Sequence, residues 1–197
     1  MSILERDFYN RSALEVARDL LGCRLVRMMN GQRLAGSILE SEAYQGEEDL
    51  GCHAAAGKTP RTAVMYGEPG HAYVYFTYGM HWMFNVVTDQ PETPSAVLIR
   101  AIQPVEGQSL MTQNRPYNAG KRGWTDGPAK LTQALAIDKS FNEMDLCTRS
   151  DGLWIESGEP VPDTRVQRAA RIGLNSVPEP WRSIPWRFNV NGGGLLD

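Results

Sequence analysis

The fold is decided by residues 23–44, CRLVRMMNGQRLAGSILESEAY, in which two extended runs flank the pair Asn30-Gly31. Asn-Gly between two such runs is a strong signal for a β-hairpin, because both residues tolerate the positive φ angles that a tight hairpin turn requires. The second strand would carry Glu42 and Tyr44 on one face, because residues two apart lie on the same side of a strand. This hairpin therefore brings a carboxylate and a phenol together.

Other elements follow from periodicity and turn residues. A helix is predicted near Ser12–Leu21, with Ser12 and Glu15 at the spacing of a capping box. The run HAYVYFTYGMHWMFNVV predicts two strands around a turn at Tyr78-Gly79, and further strands are predicted at VLIRAI, LWIES and WRFNV. Helices are predicted at PVEGQSLMTQ and PAKLTQALAI.

Strands and helices do not alternate regularly along the chain, which favours an α+β fold over a doubly wound sheet. We find no internal repeat and no interdomain linker, so one domain over residues 1–197 is expected. The predicted architecture is a single domain with a curved, mainly antiparallel sheet, flanked by helices and carrying a protruding β-hairpin.

Composition excludes several classes of protein. Twenty Lys and Arg against 23 Asp and Glu give a net charge of -3, so no overall basic character points to nucleic acid. The three cysteines form no C-x-x-C pair and only three His are present, which makes a zinc site a poor candidate. With no signal peptide or membrane span in the sequence, we expect reduced thiols in an intracellular protein, cytoplasmic and nucleoid-associated if bacterial.

Three residues stand out as candidates for chemistry, each with an ordinary structural alternative. Glu42 lies on a strand beside Tyr44, where partial burial would raise its pKa and suit it to act as a general base; the alternative is an ion pair at a sheet edge. Arg100, inside VLIRAI, needs a carboxylate, a phosphate or a bound water as its partner; the alternative to a functional role is a structural salt bridge. His53 is the third candidate, and its alternative is an ordinary surface or structural histidine in a loop. It follows three acids that we expect to be solvated, Glu47, Glu48 and Asp49.

Tyrosines form a second group. Tyr73 and Tyr75 share one face of a predicted strand, an arrangement that ordinarily reflects packing within a sheet. Tyr78 falls at the tip of the predicted hairpin, where a side chain packs poorly against its own sheet and could wedge between bases. Tyr44, Tyr75 and His53 together could enclose a flat heterocycle.

Six motifs occur in an order that resembles the alkyladenine type of 3-methyladenine DNA glycosylase: ESEAYQGEEDLGCH, TPR, YVYFTYGMHWMFNV, VLIRAIQPVEG, GPAKLTQALAIDKSF and ARIG. The likeness spans roughly residues 8–190. It implies a monofunctional enzyme that removes alkylated or deaminated purines from duplex DNA by hydrolysing the N-glycosidic bond. It also implies no metal, no cofactor and no membrane, and we expect a monomer because no exposed apolar pattern demands an interface.

The resemblance also implies roles for individual residues. Glu42 matches the general base, Arg100 the residue that helps hold the attacking water, and Ile172 a position whose main-chain carbonyl touches that water. The walls of the base pocket are matched by three residues, Tyr44, His53 and Tyr75. Asn85 matches the position in this pocket that disfavours the exocyclic amine of guanine. Tyr78 matches the residue that fills the gap left by the flipped nucleotide, and Thr59 and Arg61 match positions that contact the DNA backbone. Met80 is expected to bind DNA because it lies beside Tyr78 at the predicted hairpin tip.

One segment departs from the family pattern. HAAAGKTPRTA is one residue shorter and poorer in Arg than the usual form, and carries Thr62 where Asn is usual. Lys58, Thr59 and Arg61 in this segment are the candidate phosphate contacts. Lys121, Arg122, Lys130 and Lys139 form either an additional basic rim or ordinary solubilising charge.

Two functions compete with a DNA glycosylase. A non-catalytic protein that binds damaged DNA could use the same scaffold, although such a protein has no need of Glu42. A hydrolase of free nucleosides could use the same carboxylates and aromatic rings, although it would leave no gap for Tyr78 to fill.

Overall fold

The computed structural model describes residues 1–116, 121 and 123–191. Eight strands of this part form one sheet in which every strand pairing is antiparallel, with the order β3-β4-β5-β2-β1-β6 and with β8 pairing to both β2 and β7. The strands are β1 (Arg24–Met29), β2 (Gln32–Gln45), β3 (Ala72–Thr77), β4 (His81–Val87), β5 (Ser95–Glu106), β6 (Leu153–Glu156), β7 (Val166–Ala169) and β8 (Arg187–Val190).

Short helices cover the sheet. They are α1 (Arg6–Tyr9), α2 (Ala13–Asp19), α3 (Gln108–Asn114) and α4 (Pro128–Ala134). The main core lies between them and the sheet, where α2 and α4 bury apolar side chains such as Val16 and Leu131 against Ile38 and Phe84. The α+β prediction, with its curved antiparallel sheet, is confirmed.

The β1–β2 hairpin forms where Asn-Gly predicts it. Met29 pairs with Gln32, and Asn30 and Gly31 take φ values of 50° and 72°, the combination that defines a type I′ turn. The predicted capping box is also present, because Ser12 accepts from the Glu15 N–H and donates to the Glu15 carboxylate. The helix itself, Ala13–Asp19, is shorter than predicted.

The long strand β2 changes partner along one edge, and this positions the site. Its first half pairs with β1, and its second half pairs with β8, so that Glu42 lies opposite Arg187. On the other edge, the register with β5 shifts on both sides of Glu40, which leaves Leu39 and Arg100 as extra residues without a direct partner. Such bulges turn side chains away from the regular alternation and often lie beside functional sites.

Two details differ from the sequence prediction. Pro104 belongs to β5 and does not begin a helix, because α3 starts after Gly107 in a left-handed conformation. Strand β7 was not predicted at all, since its four residues are half-buried or exposed and show no strong apolar pattern.

Candidate active site

Glu42 lies near the end of β2 with its side chain completely buried. Its Oε1 accepts a hydrogen bond from the main-chain N–H of Ile172 at 2.7 Å, and its Oε2 accepts from the Tyr44 hydroxyl at 2.8 Å and from Nη1 of Arg100 at 3.2 Å. Burial raises the pKa of Glu42, while the Arg100 charge and the two other hydrogen bonds oppose that rise. A raised pKa brings the carboxylate closer to the strength that a general base needs near neutral pH.

Arg100 links Glu42 to a second acid. Its Nε donates to Oε1 of Glu40 at 3.2 Å, and the same oxygen accepts from Nη1 of Arg187 at 2.8 Å. The four side chains therefore form an alternating row of two carboxylates and two guanidinium groups, so the charge of the nearly buried Arg100 is compensated. The bulge in β5 places Arg100 on this row and out of the apolar core.

A cavity of about 310 Å³ opens beside this row. All three hydrogen-bond partners of Glu42 line it, so the carboxylate lies directly behind the cavity wall. Other side chains of the lining include those of His53, Tyr73, Tyr75, Tyr78 and Asn85. Among them, the Asn85 side chain is fixed by donating from Nδ2 to the Tyr73 carbonyl at 2.9 Å.

His53 is held in one orientation and stays neutral. Its Nδ1 lies 2.8 Å from the Tyr73 hydroxyl, and its ring packs edge-on against Tyr75 with centroids 4.6 Å apart. Nε2 lies 3.4 Å from Nη2 of Arg61, which can only donate, so we assign the ring proton to Nδ1. Burial and the Arg61 charge lower the pKa of His53 to about 4, so this wall of the cavity is uncharged at neutral pH.

The β3–β4 hairpin projects an exposed tip at the mouth of the cavity. Tyr78 and Met80 are 79% and 64% exposed, although both have large apolar side chains. Tyr78 and Gly79 take φ values of 51° and 67°, so the predicted turn is confirmed. A left-handed conformation costs about 1–3 kcal/mol for a non-glycine residue. The turn therefore holds Tyr78 in a backbone conformation that costs free energy, while its side chain stays exposed.

A comparison with known protein families gives a match to the model of Methylpurine-DNA glycosylase (MPG) over residues 7–193. The chain belongs to this family.

Curated relatives of similar length agree with the family assignment. A protein of Carboxydothermus hydrogenoformans is 50% identical over 186 residues, 94% of each chain. A protein of Myxococcus xanthus is 48% identical over 190 residues, covering 96% of this chain and 91% of its own, and one of Methanocella arvoryzae is 45% identical over 188 residues, covering 95% and 92%. Each carries the name "Putative 3-methyladenine DNA glycosylase".

In this member of the methylpurine-DNA glycosylase family, the segment HAAAGKTPRTA contains a tight loop. Thr62 is buried and ties the loop together, accepting from the Thr59 N–H at 2.8 Å and donating to the Gly57 carbonyl at 2.8 Å. Arg61 lies over the Tyr75 ring at 4.8 Å, beside the cavity. Lys58 pairs with Glu92 at 3.1 Å.

Three of the four residues considered for a basic rim are described by the structure. Lys121 and Lys139 are exposed, whereas Lys130 pairs with Asp126 and donates to the Gly123 carbonyl. Arg122 lies outside the described residues. Among the helices of the described chain, none combines the length and apolar character that a membrane span requires.

The sequence analysis did not predict the environments of Asp49 and Tyr73. The prediction that Asp49 is solvated was wrong. Asp49 is fully buried and pairs with the equally buried Arg171, whereas its neighbours Glu47 and Glu48 are exposed as predicted. Tyr73, interpreted as sheet packing, lines the cavity and orients His53. A loop acid shows no sequence sign of burial when its partner lies 122 residues away.

Proposed function

We propose that this chain is a monofunctional DNA glycosylase that flips alkylated or deaminated purines out of duplex DNA and hydrolyses the N-glycosidic bond. The observation that carries the proposal is the buried Glu42 carboxylate, held by three donors behind an aromatic cavity. Residues 1–197 would form one glycosylase domain, acting as a monomer wherever the DNA of the cell is found.

Recognition would begin with extrusion of the damaged nucleotide, because a base inside the duplex cannot reach the cavity. Tyr78 would occupy the gap in the stack, with Met80 beside it. The extruded purine would lie against Tyr44 on one side and against Tyr75 and His53 on the other. Asn85, whose amide is already fixed by Tyr73, would disfavour the exocyclic amine of guanine.

Hydrolysis would follow from the hydrogen bonds of Glu42. A carboxylate offers about four acceptor positions, and Ile172, Tyr44 and Arg100 occupy three of them. We propose that the fourth accepts a proton from the attacking water. The oxygen of this water then bonds to the anomeric carbon. The electrons of the broken C–N bond leave with the purine, giving a free base and an abasic site. The carboxylate would also stabilise the oxocarbenium-like transition state.

The leaving base decides what further help is needed. A purine alkylated at a ring nitrogen is already cationic and departs without an added proton. Hypoxanthine and ethenoadenine are neutral and gain from protonation. Because His53 is neutral, it is a poor acid for that step at pH 7.

Phosphate contacts would come from the loop that contains Thr59 and Arg61. Arg61 lies at the cavity mouth with an exposed side chain, so it can turn towards a bound backbone. The net charge of -3 predicts modest non-specific binding with few released counterions.

Release of a free base from duplex DNA tests the proposal. We expect single-turnover excision from at least one of three duplexes that carry a single hypoxanthine, ethenoadenine or 7-methylguanine. The matched measurement uses the free modified nucleosides. Tight binding of all three duplexes without release would instead support a non-catalytic binder, and faster cleavage of free nucleosides would support a nucleoside hydrolase.

The excision rate should fall as the pH is lowered, because Glu42 acts only as a carboxylate. Burial raises its pKa, so the rate should begin to fall at a higher pH than the value of about 4.3 for an exposed glutamate. A duplex with 7-methylguanine suits the measurement, because its base is already cationic over the acidic range in which Glu42 titrates. A single-turnover rate that stays constant down to about pH 4.3 would contradict this role.

A further inference from the structure

Asp49 and Arg171 form a buried ion pair whose partners come from two distant loops. Both side chains are fully buried, and both carboxylate oxygens accept from the two terminal nitrogens of the guanidinium. Asp49 also accepts from the main-chain N–H groups of Gly51 at 2.9 Å and Gln45 at 3.3 Å. Removing one partner from such a pair is expensive, because the other charge is then left uncompensated in the interior.

The neighbours of Arg171 are parts of the site. Its Nη1 donates to the Ala43 carbonyl at 3.0 Å, on the residue between Glu42 and Tyr44. Its guanidinium carbon lies 4.6 Å from the centroid of the Tyr44 ring. The next residue along the chain is Ile172, whose N–H binds Glu42 at 2.7 Å.

The pair therefore fixes two of the three donors that hold Glu42, although neither Asp49 nor Arg171 lines the cavity. A guanidinium is planar and can satisfy a carboxylate, two carbonyls and an aromatic face at once. Nη2 also donates to the Trp181 carbonyl at 3.2 Å, and the guanidinium carbon lies 5.2 Å from the centroid of the Trp186 ring, which extends the connection to the following loop.

We propose that Asp49 and Arg171 are positioning residues for Glu42: their ion pair holds the Tyr44 ring and the Ile172 N–H against the carboxylate. The expected effect on the excision rate rests on the proposed function. The expected effect on the hydrogen bonds and titration of Glu42 does not. A pair that only joined two loops would affect stability and leave the chemistry of Glu42 unchanged.

The two interpretations differ in how Glu42 titrates. Hydrogen bonds to the charged form favour the carboxylate, so a displaced Ile172 N–H would raise the pKa of Glu42 further. A change at Asp49 or Arg171 leaves the other groups that face Glu42 unaltered. These groups are Arg100 from β5, Glu40 from β2 and Tyr75 from β3.

The first variant is Arg171→Lys, which keeps the buried charge beside Asp49 but loses the planar fork. We expect it to fold, to titrate Glu42 at a higher pH by ¹³C NMR of the carboxyl carbon, and to excise the base about 10- to 100-fold more slowly. The acidic limb of the excision rate should move to higher pH by the same amount, and the Kd for the lesion duplex should change less than the rate.

The control is Glu156→Gln, which removes the charge of a buried carboxylate on β6, at the far end of the sheet, where it pairs with the half-buried Arg33. It should lower stability without moving the Glu42 titration or the excision rate. If Arg171→Lys does not fold, the double variant Asp49→Asn with Arg171→Gln, which removes both charges together, takes its place.

An unchanged Glu42 titration in the folded variant would overturn the positioning role, whatever the rate. The NMR titration uses the free protein and does not depend on activity. A wild-type protein that releases no base would therefore count against the proposed function, and a displaced titration would still support the positioning role.

Discussion

Glu42→Gln should lower the single-turnover rate of base release by about 10²- to 10⁴-fold, the usual contribution of a general base. The amide has nearly the same shape as the carboxylate but cannot take a proton from water. The amide nitrogen is itself a donor and would face another donor, because Ile172, Tyr44 and Arg100 all donate to Glu42 in the wild-type protein. We therefore expect some loss of stability as well, measured separately by thermal unfolding.

Lesion-duplex affinity in Glu42→Gln should stay within a few-fold of wild type, because the carboxylate lies behind the cavity wall. Glu48→Gln is the matched control, since Glu48 is an exposed acid in the turn that follows the same strand. It should excise at the wild-type rate. Turnover retained in Glu42→Gln at the wild-type level would rule out the proposed mechanism.

Tyr78→Ala should weaken binding to a lesion duplex by roughly 5- to 150-fold. This range corresponds to the value of about 1–3 kcal/mol for stacking a base on an aromatic ring. Tyr78 is exposed in the free protein, so it has little packing to lose on truncation. The measurement is fluorescence anisotropy with matched duplexes that differ only in the damaged base.

Phe76→Ala is the control in the same hairpin. Phe76 is also an exposed aromatic residue, but it stacks on Trp82 and, by strand alternation, faces away from the cavity that Tyr75 and Thr77 line. Its removal should leave lesion binding close to wild type. Equal losses in the two variants would indicate a general effect on the hairpin instead of a wedge at Tyr78.

The two hairpins could be predicted from the sequence because their turns depend on local chemistry. Asn30-Gly31 and Tyr78-Gly79 determine both position and register within a few residues. Glu42 was distinguished from other acids by its place on the strand, and its proposed role came from the family resemblance.

Features made by distant residues could not be predicted. The bulge at Arg100 depends on how β5 pairs with β2, and no Gly or unusual residue marks it in the sequence. The burial of Asp49 depends on Arg171, so the acidic loop looked uniformly solvated. The hydrogen bond from Ile172 also required the fold, because a main-chain donor leaves no sequence signal.

The pairing of β8 with the second half of β2 has a consequence for synthesis on the ribosome. Glu40 leaves the ribosome 147 residues before its partner Arg187, and β8 pairs with β2 beside Glu42. A nascent chain that has not yet released β8 therefore leaves this edge of β2 unpaired, and Glu40 lacks its ion pair with Arg187. Because such long-range pairing closes slowly, the glycosylase chemistry should become available only after translation has passed this strand.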